Sequence, residues 1–180
     1  MAEFFKAENV KLKKKIEELE ERLVGVVGLI KIIMPADVNT YVEGMISAPG
    51  KEMKIVAPEV DPFFGDLIGK AVKGGKKTRL VTREWTKERG APGKKSAAAQ
   101  VNPNLVVFDK LKNTVGVDVV EYPRLTQLII LTPNKAFYSA GPLARDNFVK
   151  NNQMGFEIQE KGALKQLQEV IAGFMPTFMR

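Results

Sequence analysis

The stretch from Tyr122 to Ile158, YPRLTQLIILTPNKAFYSAGPLARDNFVKNNQMGFEI, decides how the rest of the chain is read. Leu128 to Leu131 is an unbroken apolar run, and Pro133-Asn134-Lys135 has turn chemistry. Ala136 to Ser139 resumes as a strand, and Met154 to Ile158 reads as a third. Apolar runs of this length, punctuated by turns, are expected of neighbouring strands inside a sheet with both faces covered.

Working outward, Leu29 to Met34 reads as a first strand closed by Pro35, and Ala36 to Ser47 as a helix with Val38, Tyr41, Val42 and Met45 at helical spacing. Glu52 to Ala57 is a strand broken at Pro58. Phe63 to Val72 is an amphipathic helix stopped by Gly74-Gly75, and Thr78 to Thr82 is the next strand. Arg83 to Asn104 is rich in Gly, Pro, Lys and Ala and reads as a long loop. Leu105 to Asn113 looks helical, Gly116 to Tyr122 is a strand, and Gly162 to Phe174 closes the chain as an amphipathic helix. Strand and helix alternating with short connections predicts an α/β domain with a mixed, largely parallel sheet flanked by helices. The domain is expected to span 28–180, preceded by a dimerising helix over 1–27.

That helix rests on a heptad seam. Phe5, Asn9, Leu12, Ile16, Leu19, Leu23, Val26 and Ile30 recur in steps of four and three. With Ile16 and Leu23 at a, and Leu12 and Leu19 at d, a β-branched residue meets leucine in the combination that favours a parallel pair. Asn9 then falls at an a position, where a buried amide pair fixes register and dimer state. In a parallel pair Glu8 faces Lys13 of the other helix and Lys15 faces its Glu20, both of opposite sign. The dimer interface is therefore expected at Asn9, Leu12, Ile16, Leu19 and Leu23. A single amphipathic helix packed on its own domain fits the same stripe, and with about three heptads the helix alone would be marginal.

Composition excludes several function classes. Of the 180 residues none is cysteine and none is histidine, so disulfides, thiolate metal sites and imidazole ligands are absent. No metal and no cofactor is expected. The N-terminus has no apolar core of signal-peptide length, and Val24 to Met34 is too short to span a bilayer. A soluble, cytoplasmic protein with no membrane partner is expected.

The net charge of +7 is localised. Residues 1–30 hold six basic and six acidic side chains, residues 70–95 ten basic and two acidic, and the remainder twelve basic and thirteen acidic. All the excess lies in the 70–95 window, in Lys70, Lys73, Lys76, Lys77, Arg79, Arg83, Lys87, Arg89, Lys94 and Lys95. Two readings fit: a solvated lysine-rich face, or a polyanion-binding loop in which each cation neutralises a phosphate without reading sequence. Trp85 in the middle could stack on a base or anchor the loop to the domain. Gly90 to Ser96, GAPGKKS, is not a phosphate loop: its glycines are two residues apart instead of four, and no apolar strand leads in.

The 122–158 stretch also resembles the catalytic half-motif of the phospholipase D superfamily. There a His-x-Lys-x4-Asp strand is followed by a small-residue turn, an Asn and a Glu. Here the His falls on Leu125, the Lys on Gln127, the Asp on Thr132, the Asn near Pro142 and the Glu on Gln153. The resemblance implies a phospholipase D-like fold over about residues 29–174. Its phospho-histidine chemistry needs imidazole, which the chain lacks. The resulting expectation is a pseudoenzyme: no enzyme activity, with a vestigial cleft at Leu125, Gln127, Thr132, Ser139 and Gln153.

A coiled coil joined to such a domain is also similar to archaeal TrmB-type transcription regulators, without their winged helix. Two functions follow as expectations. The first is a non-catalytic homodimeric protein that contacts DNA or RNA through the basic window. The second is a dimeric sensor or adaptor whose cleft holds a small ligand and which acts on a protein partner.

Overall fold

The computed structural model describes residues 10–18, 30–85 and 102–174. Residues 10–18 are helical (α1). Then come β1 (Ile30–Ile33), α2 (Pro35–Ser47), β2 (Glu52–Val56), α3 (Pro62–Lys73) and β3 (Lys77–Thr82). The chain continues with α4 (Pro103–Lys112), β4 (Val117–Glu121), β5 (Gln127–Leu131), β6 (Ala136–Ala140), α5 (Arg145–Lys150), β7 (Gly155–Ile158) and α6 (Lys161–Gly173).

Local chemistry sets most of these boundaries. Pro35, Pro62 and Pro103 stand in the first turn of α2, α3 and α4, where a missing N–H costs nothing and the fixed φ suits a helix. Asp61 caps α3 by accepting from the Phe64 N–H at 2.8 Å. Asn102 caps α4 through the Asn104 N–H at 3.0 Å. Asp146 and Lys150, four apart, pair at 2.6 Å along α5, a helix that sequence periodicity did not announce.

The seven strands form one sheet in the order β1-β7-β6-β5-β2-β3-β4. Mixed and flanked by helices, it matches the expected class, but the expectation of a largely parallel sheet is corrected. Only β2–β3 and β3–β4 pair in parallel, while β1–β7, β7–β6, β6–β5 and β5–β2 are antiparallel. The helical crossovers α3 and α4 dictate the parallel half. The tight Pro133–Lys135 turn allows only a hairpin between β5 and β6.

Period-two alternation divides the core between the two faces. On one, Met53, Ile55, Leu80, Leu128, Ile130 and Phe137 pack against α2, α3, α4 and α5. On the other, Val56, Val81, Val120, Ile129, Leu131 and Ala136 pack against α6 through Leu164 and Ile171. Among the described residues four helices cover the first face and one covers the second, so part of the second face stays open. No helix among the described residues is long and apolar enough to cross a membrane.

Candidate functional site

The candidate residues lie at two ends of the sheet. At one lie the carboxyl ends of β2, β3 and β4, the start of β5 and the end of β6; at the other lie the amino ends of β2 and β3 and the β5–β6 turn. The five cleft positions expected from sequence do not share one site. Gln127, exposed, stands opposite Ala140 at the first end, and Leu125 is buried in the α6 core nearby. Thr132 follows the last residue of β5, roughly 16 Å away at strand rise, with its hydroxyl donating to the Lys135 carbonyl at 2.9 Å.

The polar groups at the cleft end bind one another. The Ser139 hydroxyl, buried, donates to the Met154 carbonyl at 2.9 Å. Asn147 Nδ2 donates to Gln153 Oε1 at 2.8 Å and to the Pro142 carbonyl at 3.1 Å. Asn151 Nδ2 donates to Asn147 Oδ1 at 2.7 Å. Gly141 is held at φ +76, and a Cβ there would stand 3.0 Å from Asn147 Nδ2, so close approach accounts for the small residue. This network pins α5 to the 141–144 loop.

The rim of the same end is ionic. Arg83 pairs with Glu59 at 3.0 Å, and Asn104 Nδ2 donates to the other Glu59 oxygen at 2.6 Å. The Arg83 guanidinium lies 4.2 Å from the Trp85 ring centre. Trp85 is 1% exposed. Its backbone N–H donates to Glu121 at 2.9 Å and its indole N–H to the Thr82 hydroxyl at 3.2 Å. Of the two roles open to Trp85 from sequence, burial leaves the anchor, because no base can reach the ring.

The basic window is divided between the two ends. Lys70 and Lys73 occupy the last turn of α3 and Lys77 opens β3, all at the end opposite the cleft. Arg79 lies further along β3, 3.6 Å from Asp118. Arg83 lies at the cleft end, committed to Glu59. Lys87, Arg89, Lys94 and Lys95 fall outside the described residues.

Lys76 is a correction to the expected surface set. It is 5% exposed, and its Nζ donates to the carbonyls of Ile46 and Ala48 at 2.6 Å each. These belong to the end of α2, which has no basic residue in its last turn, so Lys76 supplies the missing C-terminal cation from elsewhere in the chain. Burial pushes its ammonium below the ordinary lysine range.

Sequence reasoning missed two cations because they precede the window. Lys51 sits just before β2 and Lys54 within it. In the β2–β3–β4 register Lys54 stands beside Arg79 and Arg79 beside Asp118, while Glu52 stands beside Lys77. The amino end of the sheet therefore carries Lys54, Lys77 and Arg79 beside Glu52 and Asp118 on the α6 face, Lys51 just before β2, and Lys70 and Lys73 in the last turn of α3 on the opposite face, where Asp66 neighbours Lys70. The register places Lys54 in this group.

Of the expected dimer residues, Leu12 and Ile16 lie in α1, 55% and 53% exposed. Asn9, Leu19 and Leu23 fall outside the described residues.

No family model and no curated protein sequence matches the chain. Solved structures do. NucT from Helicobacter pylori aligns with a TM-score of 0.63 at 10% identity, covering 81% of this chain and 94% of that one. A phospholipase D family member, Nuc from Salmonella typhimurium, aligns with a TM-score of 0.63 at 12% identity, covering 80% of this chain and 91% of that one. The fold is phospholipase D-like. TrmBL2, an archaeal chromatin protein whose structure shows a novel mode of DNA binding, also aligns. Its TM-score is 0.54 at 15% identity, covering 96% of this chain and 64% of that one.

These likenesses overturn one expectation. The phospholipase D-like fold is that of an enzyme family, to which Nuc belongs, so the fold and the replaced positions do not mark the chain as a non-enzyme. The absence of histidine removes the phospho-histidine route and no more than that.

Proposed function

We propose that this protein binds nucleic acid as a homodimer joined through its N-terminal helices, with the polyanion lying on the amino end of the sheet. The carrying observation is that Lys51, Lys54, Lys70, Lys73, Lys77 and Arg79 all stand at this end, spread over both faces of the sheet, with Glu52, Asp66 and Asp118 as acidic neighbours. Lys51, Lys73 and Lys77 have no carboxylate within salt-bridge distance among the described residues. Lysines of this kind give up little on meeting a phosphate, and each contact releases condensed counterions. The TrmBL2 likeness supports this reading, since that protein is described as binding DNA. Exposure of Leu12 and Ile16 favours the paired helix over one packed on its own domain, and pairing doubles the basic surface.

The alternative, a small-ligand sensor built on the cleft, has less support. Ser139, Asn147, Asn151 and Gln153 are engaged with one another or with nearby backbone instead of facing a cavity.

The test is fluorescence anisotropy with a short duplex at about 50 and about 200 mM salt. Four phosphates neutralised per protomer, eight per dimer, would give a slope near roughly −7 and a loss of affinity on the order of ten-thousandfold over that range. Replacing Lys51, Lys70, Lys73 and Lys77 with Ala should flatten the slope by roughly one unit per contact removed. Undiminished affinity in that variant would refute the assignment.

A further inference from the structure

The second face of the sheet is open where α6 does not reach. In the antiparallel wing β6–β7–β1, residues directly opposite share a face: Ile32, Phe156 and Tyr138 form one cross-strand row, and Ile30, Ile158 and Ala136 the next, where Ile158 and Ala136 meet the α6 core and Ile30 extends beyond it. The alternation adds Met34, Met154 and Ala140 at the end nearer the cleft. None of these nine positions is charged, in a chain that is 27% charged. Ile30 is 50% exposed, Ile32 56%, Met34 58%, Met154 49% and Tyr138 37%.

A solvent-facing antiparallel sheet normally alternates to polar residues on its wet side. This one does the reverse, which is the pattern of a covered face. The concentration is also specific. Among the described residues fourteen large hydrophobics are exposed, and eight belong either to α1 (Val10, Leu12, Ile16) or to this wing (Ile30, Ile32, Met34, Tyr138, Met154).

We infer that the open face of the β6–β7–β1 wing is where a second copy of this chain docks. The inference rests on the helix-joined dimer proposed above and adds a second contact surface to it. Four observations favour a second copy over any other occupant. Eleven residues, 19–29, join α1 to Ile30 and can span at most about 40 Å, so two paired helices deliver two β1 strands into each other's neighbourhood. An isologous interface must fit itself, and an uncharged patch meets its own copy with no like-charge penalty. The outer edge of β1 has no neighbouring strand among the described residues, a liability that a docked copy covers. Finally, a helix of about three heptads is marginal by itself, and a second contact surface supplies area toward the roughly 800 Å² per partner of a stable pair.

The chain's lack of cysteine provides the experiment. Ile32→Cys is labelled with a maleimide at sub-micromolar and at about 100 micromolar protein, beside Asn134→Cys in the exposed β5–β6 turn, with light scattering on the same samples. Labelling at position 32 should slow at least tenfold as the mass doubles, while labelling at position 134 should not change. Ile32→Glu with Tyr138→Glu should raise the dimer dissociation constant at least tenfold with far-ultraviolet circular dichroism unchanged.

The failing outcomes separate the two claims. A dimer in which the thiol of Ile32→Cys reacts at the rate of the control keeps the helix pairing and overturns the docking face. A monomer at every concentration overturns both. Protection of that thiol already in the monomer means that a segment of the same chain covers the wing, and overturns the inference. None of these bears on anisotropy with the lysine variant, so the nucleic-acid reading stands or falls separately.

Discussion

Lys76→Met removes the two hydrogen bonds that end α2 while keeping a side chain of similar length and an apolar stem. In the native protein the Ile46 and Ala48 carbonyls each accept from the ammonium at 2.6 Å, and the residue is 5% exposed. A buried acceptor left without a partner costs about 1–3 kcal/mol. Two such carbonyls are partly offset because the variant no longer desolvates an ammonium. The expected net loss is about 2 kcal/mol, or a fall in Tm of about 4–8 °C for a chain of this size.

The assay is urea unfolding followed by circular dichroism, with the exposed Lys77→Met as control, for which a change within about 0.5 kcal/mol is expected. The pH dependence gives a second readout. Burial lowers the folded-state pKa of Lys76 below its unfolded value of about 10.4. As pH rises through the folded value, the native state gives up its proton first and the unfolded chain binds more protons. The stability contributed by Lys76 therefore rises with pH until the unfolded lysine itself titrates. The stability gap between wild type and Lys76→Met should widen on the alkaline side. Equal stability of wild type and variant at neutral pH would refute the capping role, and a gap that narrows toward about pH 10 would refute the lowered pKa while leaving the two hydrogen bonds in place.

Other expectations follow from the packing and the caps. A Cβ on Gly155 would overlap the buried Phe137 ring, so Gly155→Ala should destabilise by about 1–3 kcal/mol, read from the urea midpoint. Glu160 caps α6 by accepting from the Gly162 and Ala163 N–H groups, and these bonds lower its carboxyl pKa. Its contribution is present above the ordinary glutamate pKa and lost as pH falls through the lowered folded value, so Glu160→Gln should flatten the acid limb of the stability profile. Trp85, the sole tryptophan and 1% exposed, should emit as a buried indole and resist acrylamide quenching. Duplex bound at the amino end of the sheet should leave that emission unchanged, and a large shift would move the contact to the cleft end.

Most elements were legible from the sequence because their signals are local. Prolines in the first turn, glycines past the end and a period of two or of 3.6 located most of the helices and strands near their observed bounds, β1 to β7 among them. α5 escaped because six residues are too short for periodicity to show. The parallel expectation failed for a different reason. Alternation of strand and helix up to β3 is a true βαβ signal, but β5 inserts beside β2 instead of continuing outward past β4. Nothing within either strand records that neighbour.

The candidate site divides along the same line. The sequence by itself determined that imidazole and thiolate chemistry are absent, that the excess charge is confined to 70–95, and that the 122–158 stretch carries a strand-turn-strand pattern like that of the phospholipase D superfamily, because composition and spacing are complete in the chain. Only the tertiary structure decided that Lys76 is a buried cap for a helix some thirty residues earlier and that Arg83 sits with Glu59 at the other end of the sheet from Lys77. It also decided that Lys54 stands beside Arg79 on the α6 face, at the end of the sheet where α3 brings Lys70 and Lys73 to the other face. The physical reason is that β3 carries its two ends roughly 16 Å apart at strand rise, and the pairing register chooses which distant residues meet each end. A run of like charges fixes how many cations there are. The sheet fixes which of them can touch the same partner.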